Sequence, residues 1–148
     1  MWTWKALTLS LILTSATITE PVAADSWSVL EGVIYEETGG DADWQVVKTF
    51  PSGYEAMTPD FRIKGYPVIF EAQADVTEVM LVPEASSCPF CGGDQGYGPA
   101  LSVSFRNPIS IPRPDQPIVV EGRLEAIHDP QTYEAFRLRD ARLGAVGG

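Results

Sequence analysis

Short runs rich in Val, Ile, Phe and Tyr, punctuated by proline and glycine, carry this chain from Asp25 to its end without a long amphipathic helix. With 12 prolines and 13 glycines in 148 residues, the chain breaks too often for a helical bundle, and an all-β fold is expected. "WSVLEGVIYEETGGDADWQVVKTFP" reads as two extended runs joined across Thr38-Gly39-Gly40-Asp41, an N-terminal hairpin. Ser52 and Glu55 stand at capping-box spacing, and Pro59 limits any helix there to a turn or two.

The second half carries the stronger pattern. In "YPVIFEAQA", Val68, Phe70, Ala72 and Ala74 share one face and Glu71 and Gln73 the other, as in a half-buried strand. The run Val79, Met80, Leu81, Val82 is apolar on both faces, as in a central strand or a barrel stave. "ALSVSF" alternates again, and the proline-rich "RNPISIPRPDQP" makes a connection. "PIVVEGRLEAIHD" then sets Ile118, Val120, Leu124 and Ala126 on one side, with Gly122 at a bend or a close approach. "TYEAFRLRDARL" closes the series, reaching the core through Phe136 and Leu138. Five strands between Lys64 and Leu143 predict a small, partly open OB-like barrel, of the oligonucleotide/oligosaccharide-binding type, because closure removes strand edges that would otherwise need protection.

The chain opens as an export signal. Lys5 supplies the positive charge, Ala6 to Ile18 a short apolar stretch, and Val22-Ala23-Ala24 a small-residue cleavage site, so cleavage is expected after Ala24. The apolar stretch is too short, and too rich in Thr and Ser, to span a bilayer, so no stable membrane insertion is expected. Residues 25–148 then form a single exported, periplasmic domain with its OB-like core at about 64–143. Losing Lys5 and Glu20 together leaves the net charge at -10, and a surface that acidic repels phosphate backbones, so nucleic acid is not an expected partner.

The only two cysteines stand in "SSCPFCGGD", and three kinds of chemistry compete for them. Thiol redox catalysis needs a helix after the first cysteine to lower its pKa, and Gly92-Gly93-Asp94-Gln95-Gly96-Tyr97-Gly98-Pro99 cannot supply one. A Cys88–Cys91 disulfide suits an oxidising compartment, but so short a loop contributes only about 2 kcal/mol through the unfolded state. A metal knuckle uses both thiolates and recruits further donors from elsewhere. The only histidine, His128, with Asp129 beside it, lies in the turn before the last strand, and Asp94 follows Cys91 by three residues. Cys88, Cys91, His128 and either Asp94 or Asp129 would make a four-donor set for zinc if the loop and the turn meet at one end of the barrel.

The chain resembles an uncharacterised family of bacterial exported proteins and lipoproteins, a domain of unknown function with a Cys-Pro-Phe-Cys motif. The likeness rests on Trp27 and Leu30 in "WSVLEGV", on "KGYPVIFEAQ", on "EVMLVPEASSCPFC", and on Gly122, Leu124, His128-Asp129, Tyr133 and Asp140-Ala141 in "VVEGRLEAIHDPQTYEAFRLRDA". It departs at Glu71-Ala72-Gln73, where the family carries a glycine and a hydrophobic residue followed by a proline. The resemblance implies an accessory of ABC-type transport machinery, tied in some members to zinc acquisition. It therefore implies a membrane-bound transporter or another exported protein as partner.

Catalysis finds little support. No glycine-rich phosphate loop and no serine nucleophile elbow is present, and Glu36-Glu37 reads as a solvated face. Trp27, Trp44, Tyr97, Phe105 and Tyr133 are expected mainly in the core. The sequence-based expectation is a binding module and not an enzyme.

Overall fold

The computed structural model describes residues 24–69, 74–85, 99–111, 113 and 115–145. Its elements are a helix α1 (Ala24–Glu31), a hairpin of β1 (Ile34–Thr38) and β2 (Gln45–Thr49), a 3-10 turn (Tyr54–Met57), and five longer strands. These are β3 (Phe61–Val68), β4 (Val76–Val82), β5 (Leu101–Ile109), β6 (Ile118–Ala126) and β7 (Phe136–Leu143). The five close into a barrel in the order β3-β4-β5-β7-β6, with β3 also paired to β6. All neighbours run antiparallel except β5 and β7, which are parallel. The protein is thus an all-β, OB-like barrel with an N-terminal hairpin, and the barrel is closed where a partly open one was expected.

Alternation explains the core. Phe61 and Ile63 of β3, Leu81 of β4, Leu101 and Val103 of β5, Val120 and Leu124 of β6 and Leu138 of β7 are all buried inside the barrel cluster. Each large apolar side chain removed from water in this way contributes about 1.5–3 kcal/mol. Leu81 and Val82 are both buried, as the two-sided run of β4 foretold.

Three local expectations are corrected. The run Trp27 to Leu30 is helical, not extended. Its apolar positions are three apart, and the Gly32 N–H closes the last turn on the Ser28 carbonyl at 3.0 Å. In β3 the buried face is Phe61, Ile63, Gly65 and Pro67, so Val68 lies on the opposite face; Phe70 and Ala72 fall outside the described residues. The strand begins at Phe61, before the expected Lys64. The 3-10 turn starts from Gly53 without a side-chain cap, so Ser52 and Glu55 form no capping box.

The helix occupies a slot in the barrel wall. β3 pairs with β6 over Phe61 to Gly65 but with β4 only from Tyr66 to Val68. On the stretch without a β4 partner, the Arg62 carbonyl accepts from Ser26 Oγ at 2.6 Å and the Lys64 carbonyl from Trp27 Nε1 at 2.7 Å. The α1 side chains thereby satisfy a strand edge that would otherwise stay open. Gly65 makes this possible, since a Cβ there would lie 2.8 Å from the Val82 carbonyl and 3.0 Å from the Trp27 ring.

Gly122 marks a close approach, as expected. A Cβ on it would meet the Arg139 carbonyl at 2.7 Å. Opposite, β7 carries an extra residue: the pairing shifts between Glu121↔Arg142 and Arg123↔Arg139, and Asp140 has φ 52°. That bulge lets Ala141 turn inward, three positions after Leu138 instead of two.

Candidate functional site

Two of the barrel's connections share one end of it. The β4–β5 connection, residues 83–100, and the β6–β7 connection, residues 127–135, leave from this same end, because β4 and β6 both run toward it and β5 and β7 both start from it. β5 and β7 are also neighbours, with Ser102 in register with Arg137. His128 and Asp129 lie in the second connection. Cys88, Cys91 and Asp94 belong to the first and lie outside the described residues, as do Tyr97 and residues 1–23 of the expected 24-residue leader.

The 127–135 connection is held rigidly. The Ile127 N–H donates to the Ala135 carbonyl at 2.8 Å, closing its neck. The Lys48 ammonium, from β2, donates to the carbonyls of Ile127 at 3.0 Å, Asp129 at 2.8 Å and Glu134 at 2.7 Å. Burial pushes the Lys48 pKa down, while the carboxylates of Asp129 and Glu134 pull it back up. Val46 N–H adds a bond to the Pro130 carbonyl at 2.8 Å, and Gln131 Nε2 one to the Trp44 carbonyl at 3.1 Å. The hairpin is therefore a brace for this connection.

Aromatic rings complete the brace. Tyr133 packs against Tyr35 and Trp44, with centroids 5.9 and 5.5 Å apart, and its hydroxyl donates to Glu37. Of the aromatic residues expected in the core, Trp27 and Phe105 are there, whereas Trp44 and Tyr133 join hairpin to connection. Phe50, Tyr54 and Phe136 form a second cluster, and the His128 ring meets Phe50 edge-on at 4.9 Å.

This geometry separates the two candidate donors in the turn. His128 is exposed, and its ring packs edge-on against Phe50 with no hydrogen bond among the described residues, so its nitrogens are not committed to another protein group there. Asp129 is committed: its Oδ1 accepts from the Gln131 N–H at 2.9 Å and its carbonyl from Lys48. Among the described residues no group of three or more His, Cys, Asp or Glu side chains is placed to hold a metal ion. No helix of the described residues is long and apolar enough to cross a membrane.

Two surface concavities complete the picture. A shallow groove of about 230 Å³ lies over Glu78, Met80, Ser102, Ser104 and Arg137, on the β4–β5 face. A larger cavity of about 450 Å³ is lined by charged residues of β3, β5, β6 and β7. Neither was visible in the sequence, because both draw on residues brought together only by the barrel pairing. Lys48 was missed for the same reason: its partners are backbone carbonyls some eighty positions away.

No family model matches the chain, and no curated protein and no solved structure matches it either.

Proposed function

We propose that this protein is an exported accessory binding module that holds a zinc ion with Cys88, Cys91 and His128, and with Asp94 as the fourth donor, beside a membrane-bound transport partner. The observation that carries the reading is topological: the connection bearing the cysteines and the connection bearing His128 lie at one end of the barrel and lead into neighbouring strands, β5 and β7. Two thiolates, an imidazole and a carboxylate are donors that a tetrahedral zinc accepts. The exposed His128 ring, packed against Phe50 and without a hydrogen-bond partner among the described residues, suits a ligand; Asp129, already capping a turn beside Lys48, suits it less well. The β4–β5 groove supports no rival small-molecule site, being smaller than the roughly 300–1,000 Å³ usual for ligand pockets. The transport partner and the export route rest on the family resemblance and on the leader.

A competition titration against a chromophoric zinc chelator tests the donor set. Cys88→Ser, His128→Ala and Asp94→Asn should each weaken zinc binding at least about tenfold, and Asp129→Asn should leave it unchanged. Equal affinity in the parent and in His128→Ala would remove histidine from the site and, with it, this reading. A chain that takes up zinc only after reduction would show that the cysteines form a disulfide instead.

A further inference from the structure

Four arginines converge on the larger cavity in a chain whose net charge is -10: Arg62, Arg106, Arg123 and Arg142 line it together with Asp60, Glu121 and Asp140. The strand register arranges most of them as a row across the outer face of the barrel. Arg62 of β3 stands opposite Glu121 of β6, and Glu121 opposite Arg142 of β7. Phe105 pairs with Ala141, so Arg106 of β5 follows in the row beside Arg142. Charges therefore run positive, negative, positive, positive.

Two of the three carboxylates, Glu121 and Asp140, are already engaged. Glu121 accepts Arg62 Nη1 on Oε1 at 3.0 Å and Arg142 Nη2 on Oε2 at 2.8 Å, so both of its oxygens are taken. Asp140 Oδ2 pairs with Arg123 Nη2 at 3.2 Å. Asp60 precedes Phe61, whose partner is Gly122, which puts it on the Arg123 side. Arg106 has no ion-pair partner among the described residues, and the strand register sets it next to Arg142. Like charges facing each other across neighbouring strands repel, and a bound anion between them would reverse that penalty.

We propose that this cavity binds a small oxyanion, a carboxylate or a phosphate, between Arg106 and Arg142. The planar donor fork of arginine matches both groups in bidentate fashion, and about 450 Å³ leaves room for a small organic body behind the charged group. The site is independent of the metal reading, since none of its residues belongs to the zinc set.

The test is calorimetric titration of the full chain with inorganic phosphate and, separately, with citrate, each at an ionic strength matched with sodium chloride. The proposal expects saturable binding of at least one probe, weakened about tenfold or more by Arg106→Gln and unchanged by Arg113→Gln, whose exposed pair with Asp115 lies outside the cavity. Tighter phosphate binding would point to a phosphorylated ligand, and tighter citrate binding to a carboxylate one. Heats no larger than those of chloride, or an equal loss in both variants, would overturn the proposal.

Discussion

At the scale of single residues, Lys48 does the most for the site end of the barrel. One ammonium serves three carbonyls of the 127–135 connection, a geometry that three rotatable donors on a compact head can satisfy and that a planar guanidinium cannot. Lys48→Met should destabilise the fold by about 1–3 kcal/mol, discounted from three charged hydrogen bonds because the group is partly solvated. Hydrogen exchange gives the sharper readout: the Val46 amide should lose protection while Leu124 keeps its own. Equal protection at Val46 in parent and variant would show that the aromatic contacts hold the hairpin alone. Glu125 gives a pH dependence with a definite sign. A hydrogen bond from Arg139 at 2.8 Å holds its carboxyl below the usual glutamate range, with the Arg139, Arg123 and Arg137 charges adding to the shift. Its folded pKa lies below its unfolded one, so its stabilising contribution is complete above the unfolded value and is lost as pH falls through the folded value. Glu125→Gln should therefore lose less stability on acidification than the parent, as followed by thermal melts from neutral pH to pH about 3. Parallel acid profiles would contradict the assignment.

At the scale of elements, the seam between α1 and β3 rests on two side-chain hydrogen bonds and one close glycine approach. Trp27→Phe keeps an aromatic ring, though a smaller one, and removes the donor to the Lys64 carbonyl; the acceptor left alone should cost about 1–3 kcal/mol. Gly65→Ala should cost more, because the new methyl meets the rigid Val82 carbonyl; a melt unchanged from the parent would show that the seam can widen. This seam also shows why the sequence was misread there. Trp27 and Leu30 are compatible with either period over so short a run, and what selects the helix is an unpaired β3 edge created by pairings nearly a hundred residues downstream. The β3 face was misassigned because "YPVIFEAQA" alternates convincingly by itself, while the true strand uses the "FRIKGYP" alternation just before it. Where one strand's own alternation decides, as in β5, β6 and the start of β7, the core residues were legible: Leu101, Val103, Val120, Leu124, Phe136 and Leu138. Ala141 was not, since it reaches the core only through the bulge at Asp140.

At the scale of the whole molecule, the barrel order does what residue spacing could not: it brings two connections, separated by a full strand pair in sequence, to one end of the fold. The proposed donors stand out in the sequence as residue types, because cysteine and histidine are so few in this chain. The brace that supports one of them was not, because hairpin, aromatic clusters and Lys48 act through contacts between distant segments. The central claim of the proposal is that Cys88, Cys91 and His128 hold one zinc ion, and the native mass of the protein, isolated without added reductant or chelator, tests it most directly. The account predicts one zinc per chain, with the adduct lost in His128→Ala while the fold persists. A metal-free chain lighter by two hydrogens would contradict it and establish a Cys88–Cys91 disulfide in its place.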